Sequence, residues 1–397
     1  MAQASTAAVS LAGSPSLRRA ATPAGRHALD LDAGLLHLKL RPARLRGELV
    51  SRERLVGRLL DAQDVPVALI VAPAGYGKTT VLSQWSERDE RPFAWVTLDA
   101  DDNDPRRLLS AIALALDVVE PVGWEVFEAL ASLRPDGATV ALGRLARSLS
   151  RRERHVVLVL DDLHVLRSRE SRRVVTTIWR AFGAGLQLAL ASRSDAVLPV
   201  GRLRAHGISV ELHTADLAMT RSEASMLLRL AGIELTTEQV LTLARRTEGW
   251  PTGLYLAALS LREQCGDRPD VEQFEGDDRF VLEYVRDELL SGLPRAQLEF
   301  LTRTSVLERL SAPLCDAVLD RDDSADLLPR LARLNVLLAP LDRRDRSYRY
   351  HELFAKVLQA ELRRREPGRD AELHRRASAW YAEHGETDLA IGHAIDG

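Results

Sequence analysis

Three lysines occur in 397 residues, Lys39, Lys78 and Lys356, and arginine supplies the rest of the 54 basic side chains. One of the three stands in Ala72-Pro73-Ala74-Gly75-Tyr76-Gly77-Lys78-Thr79-Thr80, between a glycine and two threonines. The stretch fits the pattern G-x-x-x-x-G-K-[ST], with Ala72 replacing the first glycine. Gly75 and Gly77 let the backbone curl with its N–H groups inward, a nest for phosphate oxygens at a helix N-terminus. Lys78 supplies a compact point charge for β- and γ-phosphates, a task the broad guanidinium suits less well. Thr79 offers a hydroxyl ligand for Mg2+. The Ala72 departure is small, because that position needs a small side chain more than a positive φ. Nucleotide binding is the chemistry expected of residues 72–80.

Such a loop needs a carboxylate on a neighbouring strand. "VVLVLDDLHVL" (156–166) is an apolar strand ending in Asp161-Asp162. Asp161 is the expected metal-shell residue, and Asp162 the candidate for polarising an attacking water. The alternative is that the two acids cap the next helix. Arg193 follows another strand, "LALAS", where it is placed to report a γ-phosphate; a plain surface arginine is the alternative. Asp99, Asp101 and Asn103 have calcium-loop spacing, but Asp104 and Ser110 stand where glycine and glutamate belong, so calcium is rejected. Asp104 instead reads as an N-cap with Pro105 behind it.

The elements that position these residues are short apolar runs, "VALIV" (67–71), "FAWVTL" (93–98), "VVLVL" (156–160), "LQLALA" (186–191) and "ISVEL" (208–212), with helical stretches between them. Strand alternating with helix predicts an α/β domain with a largely parallel sheet and helices on both faces, over 45–218. A helical domain follows over 219–292, with amphipathic helices at Leu227–Ala231, Val240–Ala244 and Leu254–Leu259. Residues 293–366 read as a winged-helix-like domain: helices, two short strands joined by the charged turn Arg343–Arg346, and one more helix. Trp380, Tyr381, Gly385, Ala390, Ile391 and Ala394 predict a tetratricopeptide-like helix pair over 367–397. One pair cannot bury its own apolar face, so the ending at Gly397 reads as a truncated array.

Composition narrows the class. The chain is 46% hydrophobic and 28% charged, as in a soluble globular protein, and its net charge of −3 gives no prior for nucleic-acid binding by the chain as a whole. Aromatics are only 5%, which favours helices. Cys265 and Cys315 are too few for a disulfide framework or metal site and suit a reducing, cytoplasmic compartment. No run of about 18 apolar residues exists, so no transmembrane helix is expected. Residues 1–44 have the composition of a disordered leader, rich in Ala, Ser, Pro and Arg at the start.

At these residues the chain resembles the STAND class of signal-transduction NTPases, specifically the MalT-like large ATP-binding regulators of the LuxR family. The resemblance runs from about Leu49 to the end. It rests on eight blocks in family order: "LVSRERLVGRL", "APAGYGKTT", "WVTLDADDNDPRRLLSAI", "VLVLDDLH", "ASRSD", "RTEGWPTGLYLAALSLR", "RTSVLERLSAPLCDAVL" and "YRYHELF". It implies that Arg52, with Glu53, lies in the entry segment lining the base, and that Gly249-Trp250-Pro251 is the G-x-P motif whose Pro251 packs near adenine. It also implies that His351 touches the β-phosphate of ADP. The plain readings are an N1 proline, a core tryptophan and a partly buried imidazole.

The resemblance further implies a latch: ADP held between the α/β domain and the winged helix favours a closed monomer. ATP with an unknown small-molecule or protein inducer favours an open, self-associating form, and slow hydrolysis resets it. DNA would be bound only through a C-terminal domain absent from this chain. Two alternatives remain open, a stand-alone P-loop ATPase driving a partner and a truncated interaction module without DNA binding.

Overall fold

The computed structural model describes residues 39–42 and 49–397, apart from 133, 135, 150–154, 182–184, 195–199, 264–269, 275–277, 335–336 and 343. The expected leader (except 39–42), Cys265, and Arg343 of the charged turn lie outside the described residues. Contacts divide the chain into two units. One comprises 39–42, Arg52–Val71 and Lys78–His213; the other comprises 49–51, Ala72–Gly77 and Thr214–Gly397.

In the first unit, α1 (Glu53–Leu60) precedes β1 (Val67–Val71), and α2 (Lys78–Arg88) precedes β2 (Phe93–Thr97). Helices α3 (Pro105–Val119), α4 (Trp124–Ala131) and α5 (Gly137–Leu149) lead to β3 (Val156–Asp161). Then come α6 (Arg169–Ala181), β4 (Leu186–Ser192), α7 (Val200–Ala205) and β5 (Ser209–Leu212). The five apolar runs are these five strands. They form one parallel sheet in the order β2-β3-β4-β1-β5. β1, β3 and β4 are buried at every residue, which is why their sequences are near-continuous runs of Val, Ile, Leu and Ala, broken by Gln187 and by Asp161 and Ser192 at the strand ends, rather than alternating.

This order corrects one expectation. The strand bearing Asp161 is not beside β1; β4 lies between them. Parallel strands all end on one edge, and a side chain at the start of α2 spans the intervening strand there.

Asp104 caps α3 by accepting from the Arg106 amide, with Pro105 in the first turn. The acidic stretch before it is structural. Asp99 caps a 3-10 turn at Ala100–Asn103, and Lys39 pairs with Asp99 at 3.0 Å and with buried Asp102. Asn103 Oδ1 accepts from the amides of Arg167 (2.6 Å) and Ser168 (2.8 Å), while its Nδ2 donates to Val165 O at 3.0 Å. The segment after β3 is thereby pinned from behind. No group of three or more metal-binding side chains occurs among the described residues.

The second unit opens with α8 (Thr214–Leu217), α9 (Arg221–Leu230), α10 (Thr237–Arg246) and α11 (Pro251–Glu263). Capping boxes start α9 and α10, Thr220 with Glu223 and Thr236 with Gln239. α12 (Arg279–Val285) runs into a π turn at Arg286–Leu290.

Next come α13 (Arg295–Thr304), β6 (Leu310–Ser311), α14 (Ala312–Leu319), α15 (Ser324–Arg333), β7 (Leu338–Pro340), β8 (Ser347–Tyr350) and α16 (Glu352–Arg365). Their strands form an antiparallel sheet in the order β6-β8-β7, the wing expected from the sequence, with β6 as an unanticipated third strand. Asp342 organises the turn, accepting from the amides of Arg344 and Ser347 and from the Ser347 hydroxyl. The Ser347 hydroxyl, then the turn amides, pull its carboxyl down to about 2. Tyr350 Oη lies 2.7 Å from Thr304 Oγ1, tying β8 to α13.

At the end of α16, Arg364 and Arg365 both pair with the buried Glu361 one turn earlier, and their charges complement the C-terminal end of the helix dipole. Cys315 is buried in α14, and burial pushes its thiol up to about 12. The last two helices, α17 (Arg369–Glu383) and α18 (Thr387–Asp396), pack on each other, with His393 stacked on Tyr381. No helix among the described residues is long and apolar enough to cross a membrane.

Leu158 is fully buried at the centre of β3, opposite Ala94 and Leu188. Leu158→Ala is expected to lose about 2–5 kcal/mol in urea unfolding, from lost transfer energy plus the cavity left behind. Val118→Ala, at a half-exposed position on α3, should change stability by about 0.5 kcal/mol or less.

Candidate phosphate-binding site

In the first unit the site gathers where β3 and β4 end and α2 begins. Lys78 is the first residue of α2 and only 7% exposed. Burial, then the neighbouring Arg193, lower its ammonium to about 8, against the attraction of Asp162 and Asp161. Thr79 Oγ1 donates to Asp161 Oδ2 at 2.7 Å, and the Asp162 amide donates to Asp161 Oδ1 at 2.9 Å. Asp161 is 2% exposed. Burial raises its carboxyl above the usual range despite the Thr79 hydrogen bond.

Asp162 departs from β3 in the left-handed region, φ 58° and ψ 38°, which turns its half-exposed carboxylate into a different environment from that of Asp161. It stands at the N-cap position of a 3-10 turn, Leu163–Val165, yet its side chain makes no capping hydrogen bond. The capping alternative therefore does not explain its side chain. His164 Nδ1 lies 3.8 Å from Asp162 Oδ1. Burial chiefly, with Arg193, Lys78 and Arg167 adding to it, lowers its imidazole to about 4 against the pull of Asp162, so it is neutral at pH 7. Arg193 follows the last residue of β4 and faces both Lys78 and His164 electrostatically.

The donor set of Thr79 and Asp161, a hydroxyl and a carboxylate oxygen in contact, is hard oxygen and fits a magnesium ion with its waters. Thr80 is half-buried on α2. Arg52 is buried before α1, and its amide donates to Gln84 Oε1 of α2 at 2.8 Å. Glu53 instead pairs at the surface with Arg88.

The second unit holds the loop itself, Ala72–Gly77. Gly75 and Gly77 take φ of 77° and 76°, the left-handed values the motif requires, whereas Ala72, fully buried beside Pro73, does not. Two loop carbonyls are captured. Trp250 Nε1 donates to Ala74 O at 3.1 Å, and Thr252 donates to Gly75 O through Oγ1 at 3.0 Å and its amide at 3.2 Å. Tyr76 is buried beside Glu248 and Arg349; burial, then Glu248, push its phenol well above the ordinary value.

Pro251 is the first residue of α11 and buried. It follows Glu248 and Gly249, both left-handed, at φ 47° and 70°. Glu248 accepts from Arg349 Nη1 and Nη2 at 2.7 and 2.6 Å and from the Glu352 amide at 2.9 Å. Although burial opposes it, these bonds hold the Glu248 carboxyl below its usual range. His351 is 5% exposed, Nε2 lies 2.9 Å from Thr247 O, and its ring meets Trp250 edge-on at 5.9 Å. Burial lowers its pKa, so it is neutral.

Lys78, Thr79, Asp161, Asp162 and Arg193 thus come together in one unit, and Ala72–Gly77, Pro251 and His351 in the other. His164, Thr252 and the Glu248–Arg349 pair were not singled out in the sequence. His164 had a readable signal, a polar residue one turn beyond the strand end that carries the acids; Thr252 had none.

Residues 48–192 match the AAA ATPase domain model and residues 286–370 the MalT winged helix domain model. The chain is 33% identical over 362 residues to the serine/threonine-protein kinase PknK of Mycobacterium tuberculosis, covering 90% of this chain and 33% of the kinase. It is 29% identical over 363 residues to the HTH-type transcriptional regulator MalT of Serratia proteamaculans, covering 89% and 40%. The Walker-type ATPase PABY2304 of Pyrococcus abyssi shares the fold, with a TM-score of 0.55 at 15% identity over 81% of this chain and 99% of that one. The chain therefore spans between a third and two fifths of the curated relatives' length.

The depressed Lys78 pKa implies that the charged amine destabilises the nucleotide-free fold. The penalty is complete below about pH 8 and fades as pH rises toward the ordinary lysine value of 10.5, because the folded state gives up its proton first. Lys78→Met should raise the denaturation midpoint of nucleotide-free protein at pH 7. A series of urea titrations should show that advantage shrinking above pH 8.

Proposed function

Because the chain belongs to the MalT-like STAND P-loop NTPases, we propose that it binds ATP and ADP with Mg2+ and serves as a nucleotide-dependent signal-transduction switch. The observation that carries this reading is the buried pair Lys78 and Asp161 with half-buried Thr79 bonded to Asp161 at 2.7 Å. Such a set places an ammonium beside a hard-oxygen pair, the chemistry that a triphosphate and its metal require. Mg2+ would supply charge neutralisation of the phosphates, held by Thr79 and Asp161. Asp162, half-exposed beside the buried Asp161, orients the attacking water, and Arg193 answers to the γ-phosphate. His164, neutral beside Asp162, accepts a hydrogen bond from that water through one ring nitrogen. Residues 72–77 and Thr80 complete the phosphate grip, Arg52 and Pro251 flank the base, and His351 reports on the β-phosphate.

The relatives favour an input module over an effector. Nearly the whole chain matches both a protein whose name is that of a kinase and one named as an HTH-type regulator, while covering less than half of either. We accordingly place the chain as the regulatory part of a cytoplasmic MalT/LuxR-type activator. Its inducer and DNA contacts belong to residues outside these 397, and α17–α18 act as the first pair of a tetratricopeptide-like array. Switching requires ATP to favour the self-associating state over the state ADP favours, and slow hydrolysis resets it. Turnover that drives a partner, as in a motor, is the second reading; the AAA ATPase match is the observation on its side.

Mg-ATP or Mg-ADP at a hundred times its Kd should stabilise the protein by about 2.7 kcal/mol in thermal unfolding, and Lys78→Ala should lose that shift. An equal shift in variant and wild type would remove the site assignment. Steady-state hydrolysis should stay below about one per second, the low end for enzymes; faster turnover without any inducer would favour the motor.

A further inference from the structure

We propose that Trp250 and Thr252 are positioning residues that shape the anion nest by holding the phosphate loop's carbonyls, so that α11 sets nucleotide affinity. The inference rests on the nucleotide reading above. A peptide unit is planar, with its C=O and N–H pointing in opposite directions. Fixing Ala74 O on the Trp250 indole therefore aims the Gly75 N–H the other way. Fixing Gly75 O on Thr252 does the same for the Tyr76 N–H. Neither amide meets a protein acceptor among the described residues. Both are left as donors for phosphate oxygen, the arrangement a nest needs.

The capture is close-fitted. A Cβ built on Gly75 would lie 2.5 Å from Thr252 Oγ1 and 2.8 Å from Trp250 Nε1, so glycine is required here for contact as well as for its φ of 77°. Both clamps are themselves rigid. Trp250 is fully buried, with Tyr284 and His351 edge-on at 5.7 and 5.9 Å. Thr252 stands in the first turn of α11, where a free helix amide needs an acceptor and Gly75 O supplies it. The Trp250–His351 contact continues the chain of packing into the winged helix. Changes there can reach the nest through the indole, without any contact to nucleotide.

The test is calorimetric titration of the full chain with Mg-ADP, comparing wild type with Thr252→Val, Thr252→Ser and Trp250→Phe. Thr252→Val keeps the shape and loses the hydroxyl donor. It should weaken binding roughly three- to tenfold, the worth of one neutral hydrogen bond, and speed ADP release by a similar factor. Thr252→Ser should restore wild-type affinity, which loss of packing alone would not predict. Trp250→Phe should weaken Mg-ADP like Thr252→Val; should that variant not fold, the Thr252 pair decides alone. Wild type that binds Mg-ADP, together with equal affinities for the Val and Ser variants, overturns the clamp while sparing the nucleotide reading. Wild type that fails to bind overturns the nucleotide reading, and the clamp with it.

Discussion

An ammonium, a carboxylate and a hydroxyl taken out of water together must find one another or stay uncompensated, and the first unit is built around that constraint. Lys78 and Asp161 are each less than a tenth exposed, and an unpaired buried charge is among the costliest features a fold can carry. Burial disfavours the charged form of each, while the Thr79 hydroxyl, the Asp162 amide and the nearby Lys78 ease the acid. Burial outweighs these influences in both groups, and a polyanion with a divalent cation would favour the charged form of each. Helix α3, the Asn103 brace and the fully buried strands β1, β3 and β4 can be understood as what keeps these groups from rearranging.

The second unit solves a different problem, that of a largely buried loop whose backbone carbonyls must find donors. Apart from buried Tyr76 its side chains are small, and the carbonyls of Ala74 and Gly75 are taken up by donors from Trp250 and Thr252. Those donors sit just beyond a strained turn at Glu248 and Gly249. Glu248 can bear the strain because Arg349 and the start of α16 fix its carboxylate. One acidic residue thereby connects the turn before α11 to the wing.

How far the sequence anticipated this depends on how local each feature is. The strands were legible because burial on both faces leaves unbroken apolar runs such as "VALIV", and the Asp104–Pro105 helix start because capping is decided within four residues. The glycines of the loop were legible for the same reason. Strand order was not, since nothing in β3 records that β4 separates it from β1; the expectation of a neighbouring strand failed there. The two-residue β6 is too short for a periodic signal. Thr252 was invisible, because its meaning comes from a carbonyl at Gly75, 177 residues earlier. The aspartates at 99–104 show that composition alone misleads: they look like a metal loop and act as caps and as partners of Lys39.

The central claim is that Thr79 and Asp161 hold a divalent ion on a nucleotide's phosphates. Manganese in place of magnesium tests it most directly, by pulsed electron paramagnetic resonance on the full chain with ADP. The account predicts manganese bound only when nucleotide is present, with 31P couplings from its phosphates, and loss of that species in Asp161→Asn. Manganese bound equally well without nucleotide, or a 31P-coupled species unchanged in Asp161→Asn, would contradict it.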